Sequence, residues 1–309
     1  MLRFTLIRLG QTLITAVFVS MIVFGLARLT GDPALTLLPT EATVDDRNFF
    51  RNQYGLDKPL YLQYLTFAKN VLKGDLGLSF KYREPAFELV LDGLTATLTL
   101  GVTAMILAVL IALPLGIFSA IRRDTWIDQS VRWMAALGQS TPSFWLGLLL
   151  IMFFAVYLGW FPTSGHGELK HLVLPAITLS FFTAGAIARL TRSNMLEAMR
   201  SDFVRFERLS GVSEWRVVTR HALRNAAIPI VTFVALQFGV LLSGAVVTET
   251  VFAWPGIGRI VIEAINTRDY PVLQAAVLVS AFLILILNLL VDLLYAWLDP
   301  RIAFSSTSA

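Results

Sequence analysis

No cysteine occurs among the 309 residues, which removes disulfides and Cys-based metal sites but does not assign a compartment, since exported domains often do without cysteine. Histidine is scarce too. His166, His171 and His221 are scattered over different loops, too far apart in the topology derived below to share one zinc ion. There is no G-x-x-x-x-G-K-S/T phosphate loop, no H-E-x-x-H and no G-x-S-x-G, so the chain has no recognisable means of hydrolysing ATP. Charge is sparse at 15% of residues, and all five lysines, Lys58, Lys69, Lys73, Lys81 and Lys170, avoid the segment where arginine concentrates.

Apolar residues fill that space. They make up 56% of the chain and the mean hydropathy is +0.69, beyond what a soluble domain of this size needs for its core. Apolar windows of about 20 residues, enough to cross roughly 30 Å of hydrocarbon, predict six spans. They fall at 9–29, 94–121, 131–159, 172–190, 227–252 and 273–298 of a single transmembrane domain covering 1–309. The fold class expected is therefore an all-α polytopic membrane protein with six transmembrane helices. Arg3 and Arg8 precede the first span as they would in a signal peptide, but the apolar stretch is too long and lacks a small-residue cleavage site, so an uncleaved anchor is expected. With both termini in the cytoplasm, 14 arginines lie inside: Arg3, Arg8, Arg122, Arg123, Arg132, eight between Arg189 and Ala227, and Arg301. The two short outer loops hold only Lys170, Arg259 and Arg268, so charge asymmetry selects this orientation.

The outer segment 30–93 is long enough to escape that count. Thr43 and Asp46 have capping-box spacing and predict a short helix to about Tyr54. Pro59 suits the first turn of a second, amphipathic helix, with Leu60, Tyr64, Phe67 and Val71 on one face and Gly74 as its stop. Such a helix lies along the membrane surface or covers the outer ends of the spans. Pro114, Gly138, Pro142 and Pro175 are expected to bend or open their spans. Gln139, Ser140 and Thr141 put three polar side chains together at depth, where a place facing the bundle is more favourable than lipid; moving pathway and static packing both fit. Asp292, near the inner end of the last span, reads as a helix-helix hydrogen bond or a snorkelling carboxylate in preference to a proton relay.

The segment Arg189 to Ala227 is the most informative. It carries eight arginines against four acids, and Arg216, Arg220 and Arg224 fall four apart, one basic ridge on a helix. Like charges at that spacing repel by roughly 0.2 to 0.5 kcal/mol per pair, so an acidic surface or anionic lipid headgroups should meet them.

These stretches carry a family resemblance. DFVRFERLSGVSEWRVVTRHALRNAAIP at 202–229, ETVFAWPGIGRIVIEAINTRDYPV at 249–272 and NLLVDLLYAWLDPRI at 288–302 resemble the inner-membrane permease subunits of binding-protein-dependent ABC importers, specifically the B-type subunit of the dipeptide, oligopeptide and nickel group. TGDPA at 30–34, YGLDKPL at 54–60, GDLGLSF at 74–80, TPSFWLGLLLI at 141–151 and LGWFPTSG at 158–165 extend the likeness over nearly the whole chain. The resemblance implies a passive pathway subunit in a bacterial or archaeal cytoplasmic membrane, with di- or oligopeptides as cargo and nickel, glutathione, opines or oligosaccharides as alternatives. A secondary transporter would need its own gradient-coupling site and inverted halves, which are not evident. The implied partners are a second, C-type permease subunit forming a heterodimer, two ATPases holding ATP and magnesium, and an extracytoplasmic solute-binding protein; no cofactor or metal is expected on this chain.

Residue by residue, the resemblance makes 189–227 a coupling loop docking into an ATPase groove, with Phe203, Arg205, Glu207, Arg208, Gly211, Ser213, Glu214, Arg216 and Arg220 as contact and turn residues. Gly211 would be the turn between two short helices, Ser213 the cap of the second and Glu214 a favourable acid in its first turn. Where family members commonly read R-T-A-R-A-K-G, this chain has Phe206, Glu207 and Ser210, so a matching change in the ATPase is implied. The outer rim at 74–80 and 252–259 combines glycine with bulky apolar residues. Ser79, Gln139, Ser140, Thr141, Phe144, Phe252 and Trp254 are the candidates for the translocation pathway or outer gate.

Overall fold

The computed structural model describes residues 2–29, 43–45 and 57–298. The Thr43–Asp46 capping box, the helix to Tyr54, and Arg301 fall wholly or partly outside them. Helices dominate: α1 (Leu2–Leu29), α2 (Leu60–Leu72), α3 (Ala86–Ile121), α4 (Trp126–Ser140), α5 (Ser143–Leu150) with a π-helical continuation (Ile151–Tyr157), α6 (Leu169–Arg200), α7 (Asp202–Leu209), α8 (Glu214–Val251), α9 (Ile257–Thr267) and α10 (Tyr270–Leu298). Among the described residues, α1, α3, α6, α8 and α10 are each long and apolar enough to cross a membrane.

The third expected span is not one rod. Its two halves, α4 and α5, meet at 104°. Thr141 is extended (φ −83°, ψ 122°) and Pro142 likewise (φ −62°, ψ 132°), a conformation favoured here because the proline ring disfavours the helical region for the residue before it and supplies no N–H. Pro114 and Pro175 do not divide their helices; each sits inside a continuous one. Gly138 does not mark a bend either. A Cβ there would lie 2.9 Å from the Phe181 carbonyl oxygen, and one at Gly185 would lie 2.8 Å from that of Ala135, so these glycines let α4 and α6 cross backbone to backbone. Helix α6 also reaches Arg200, ten residues beyond the expected span.

The chain forms two compact units, with α3 and α10 running through both. One comprises residues 97–255 and those from 290. Here α6 packs on α4 and α8, and a core of Ala120, Met195, Val204, Val217, Val218, Ala222, Ala226 and Ile230 ties α7 and the start of α8 to α3 and α6. The other holds residues 2–96 and 256–289, centred on Ala86, Val90, Ile257, Ala264, Val272, Ala275 and Ala276. In it α2 leans on α1 through Phe24, whose ring lies 5.7 Å from Tyr64 and 5.5 Å from Phe67, with Ser20 Oγ 2.9 Å from the Tyr64 hydroxyl. Tyr64 and Phe67 thus do face the protein as their spacing predicts, whereas Leu60 is exposed. Pro59 is the N-cap rather than the first helical residue, and Gly74 follows the Lys73 C-cap with φ +77°.

Candidate functional site

The arginine-rich segment folds into an elbow. Ser201 ends α6 and caps α7: its extended backbone (φ −63°, ψ 148°) breaks the helix, its hydroxyl donates to the Ala198 carbonyl at 2.7 Å, and it accepts from the Val204 N–H at 3.5 Å. Only Val204 of α7 is buried. Phe203, Arg205, Phe206, Arg208 and Leu209 are exposed and Glu207 is half-buried. The helix closes through Gly211 N–H to the Arg208 carbonyl (3.1 Å) and Val212 N–H to the Glu207 carbonyl (3.2 Å), with Gly211 at φ +80°. Arg208 then reaches across the turn to Glu214 with two hydrogen bonds, Nε at 3.0 Å and Nη2 at 2.6 Å, which raise the guanidinium's pKa. Both partners are well exposed, so the pair contributes less than about 1 kcal/mol and serves to shape the turn.

Helix α8 begins at Glu214, and Ser213 occupies its N-cap position. The hydroxyl of Ser213 makes no capping hydrogen bond, contrary to the expected role; its backbone carbonyl instead accepts from the Arg216 and Val217 N–H groups at 2.9 and 3.0 Å. Val217–Ala222 wind as a π-helix. Val217, Val218, Ala222, Ala226 and Ile230 are buried on one side, while Trp215, Arg216, Arg220 and Arg224 are exposed. None of these three arginines has an acidic partner among the described residues. His221 faces α7, with Nδ1 3.7 Å from Glu207 and its ring 5.7 Å from Phe203.

The candidate pathway residues divide into two kinds. Half-buried Gln139, exposed Ser140 and half-buried Thr141 sit at the break between α4 and α5, where the Thr141 hydroxyl bonds the Leu137 carbonyl at 2.7 Å, and Phe144 is exposed on α5. Phe252 and Trp254 are buried, at 2% and 3% exposure. Phe252 packs over Gly147, where a Cβ would come within 3.1 Å of its ring, and accepts from the Gly165 N–H; Trp254 packs edge-on to His166 at 4.9 Å. Ser79, in the other unit, is likewise buried, donating to Asp269 Oδ2 at 2.6 Å and accepting from the Tyr82 N–H at 2.9 Å. Beside it Glu263 takes hydrogen bonds from Lys81 and from the Tyr82 hydroxyl, which hold its carboxyl below the usual range.

Sequence reasoning missed a buried ion pair. Asp128, fully buried at the start of α4, accepts Arg192 Nε at 2.6 Å and Nη2 at 2.8 Å, Ser119 Oγ at 2.6 Å and the Asp124 N–H at 3.1 Å. It also missed Glu249, buried on α8 with the Thr97 hydroxyl on its Oε1 at 2.6 Å. The one sequence signal for either was a carboxylate beside an otherwise basic or apolar stretch.

Two family descriptions match: the binding-protein-dependent transport system inner membrane component over residues 112–304, and the N-terminal part of the same membrane component over 1–101. The chain belongs to this family. It is 42% identical over 305 residues to the glutathione transport system permease protein GsiC of Salmonella paratyphi A, covering 98% of this chain and 100% of the relative. It is 41% identical over the same length to GsiC of Escherichia coli K12. The fold is shared with inward-facing structures of the MetNI methionine ABC transporter (TM-score 0.60, 19% identity, 68% of this chain and 96% of that one). A second likeness is to an amino acid ABC transporter solved with histidines (TM-score 0.54, 17% identity, 67% and 93%). This binding-protein-dependent permease is thus the membrane component of an ABC importer of the dipeptide and oligopeptide group, a permease and not an ATPase. It works in a membrane alongside ATPase and solute-binding components.

Proposed function

We propose that the chain forms half of a translocation pathway for glutathione, with both termini in the cytoplasm and the α7–α8 elbow seated in a groove of an ATPase subunit. The observation that carries the coupling role is the exposed face of the elbow. Phe206, Leu209 and Trp215, each at least 68% exposed, belong to the same elbow as Arg216, Arg220 and Arg224, which have no acidic partner among the described residues. An acidic, partly apolar groove complements that face. The residues named for coupling act here as contacts (Phe203, Arg205, Arg216, Arg220) or as shape (Glu207, Arg208, Gly211, Ser213, Glu214), and Phe206 and Glu207, larger than the family pattern, require a groove with room for them. The second half of the pathway is a homologous C-type subunit in a heterodimer. Two ATPases hold ATP and magnesium beneath it, and a binding protein delivers cargo from outside.

The relatives support a glutathione reading of the cargo. Full-length identity of 41–42% to glutathione permeases favours glutathione, itself a tripeptide, over the broader di- and oligopeptide reading and over nickel, opines or oligosaccharides. The break carrying Gln139, Ser140, Thr141 and Phe144 supplies polar and aromatic groups for such a solute.

The test is reconstitution of the whole complex in vesicles. Binding protein loaded with glutathione should stimulate ATPase activity and drive uptake, and binding protein offered dipeptides should do so poorly. Replacing Arg216 and Arg220 by glutamate should abolish both and release the ATPase in detergent. Normal stimulation by that double variant would refute the coupling role and favour lipid headgroups as the partner of these arginines.

A further inference from the structure

We infer that Asp128 and Arg192 are positioning residues that pin α4 to α6, making α4, α6 and α7 one rigid lever between the ATPase and the break at Thr141–Pro142. The inference rests on the coupling role proposed for the elbow. Four hydrogen bonds converge on the Asp128 carboxylate from three places: Ser119 in the last turn of α3, the Asp124 N–H in the loop, and the Arg192 fork on α6. Arg132, one turn along α4, adds a longer contact at 3.7 Å. Asp124 itself takes a left-handed backbone (φ +61°), a conformation that persists in a non-glycine residue when surrounding contacts fix it.

The pin is placed where a lever needs it. Arg192 lies about two turns before α6 ends at Arg200, and α7 follows after the single residue Ser201. At its other end α4 crosses α6 at Gly138 and Gly185 with no room for a Cβ, a second fixed point. Between these points α4 cannot slide or roll on α6. Just beyond the second, the backbone turns through 104° with no helical hydrogen bonding across Pro142. A displacement of α7 is therefore delivered along α4 to the bend at Thr141–Pro142, and Gln139, Ser140, Thr141 and Phe144 ride on it. A bidentate guanidinium resists rotation as a point charge does not, which distinguishes this pair from a generic buried charge.

This chain has no cysteine of its own, so spin labels can be placed at chosen positions in it, within an importer whose other subunits have been made cysteine-free. Labels at Trp133 on α4 and Asp202 on α7 should keep one separation in the nucleotide-free and ATP-trapped states, while labels at Trp133 and Met152, across the break, should change theirs. In Arg192→Gln the first distance distribution should broaden, and glutathione uptake per ATP hydrolysed should fall by about fivefold or more with the ATPase still bound. Arg192→Lys, which keeps the charge and loses the fork, should fall between. A Trp133–Asp202 distance that shifts between states overturns the lever, as does an Arg192→Gln importer with wild-type uptake per ATP; the wild-type distances decide if that variant fails to fold. If the wild-type chain binds no ATPase through the elbow, the coupling role itself falls, and the lever with it.

Discussion

Gly211 offers the sharpest separation between backbone strain and bulk. Its φ of +80° lies in the region L-residues avoid, yet a Cβ added there would meet no atom within 4 Å. A substitution therefore costs backbone conformation alone, about 1 to 3 kcal/mol for a residue with a β-branch. Asparagine tolerates left-handed backbone better than alanine or valine, so its cost should be the smallest. The turn can escape the strain by breaking Gly211 N–H to Arg208 and Val212 N–H to Glu207, but that swings Glu214 away from Arg208 and misdirects the start of α8. Either way the docked geometry loses about 1 to 3 kcal/mol, which lowers ATPase affinity roughly 5- to 150-fold. Insertion of the protein should be unaffected, since no span changes. The assay is ATPase titration onto detergent-solubilised complex, with the expected affinity order Gly, Asn, Ala, Val. An asparagine variant no better than valine, or all three variants binding like wild type, would refute the argument that a positive φ shapes this turn.

Other perturbations reach other parts of the fold. Asp128→Ala leaves the largely buried Arg192 without its carboxylate and should lower stability by about 3 to 5 kcal/mol, seen as a lower thermal midpoint in detergent; replacing both residues by leucine and methionine should recover part of it. Gly185→Val puts a side chain against the Ala135 backbone, and overpacking of this kind should cost about 1 to 3 kcal/mol, most visibly as separation of α4 from α6 in crosslinking. Because the Glu263 carboxyl is held below its unfolded value by Lys81 and Tyr82, its stabilisation is complete above pH about 4.5 and is lost as pH falls through the folded value; Glu263→Gln should flatten the acid limb of the stability profile, and an unchanged limb would exclude this contact as its source. Tags near Asp45 should react with reagents outside the cell, while tags at Ser210 and after Ala309 should be protected; a protected Asp45 would reverse the topology.

Hydropathy pointed to the long apolar helices because a bilayer imposes a length on apolar runs, and Pro142 marked the break because a proline constrains itself and its predecessor. Hydropathy could not mark helix ends. Helix α3 begins at Ala86 rather than 94 because Ala86 and Val90 enter a core with α9 and α10, and α6 continues past 190 because Met195 is buried and Arg192 is paired. The Asp128–Arg192 pair joins residues 64 apart in sequence, a contact created only by the crossing of two helices. Ser213 shows the reverse: a favourable capping residue in a capping position whose hydroxyl is not used. Gly138, taken for a flexible point, is a point of close contact, since the same missing Cβ permits both and only the neighbouring helix decides.

The π-helical turn at Val217–Ala222 bears on how this chain tolerates changes in length. A wide turn between two α-helical flanks stores surplus backbone, so a one-residue deletion there can be absorbed by tightening to an ordinary turn, leaving the faces of the rest of α8 where they were. The same deletion between Ala235 and Gly244 has no such reserve and rotates one part of the helix against the other by about 100°. Inheritance of small insertions and deletions is therefore expected to concentrate in this short stretch beside the elbow, which lets the coupling region be refitted to a different ATPase while the span behind it keeps its register.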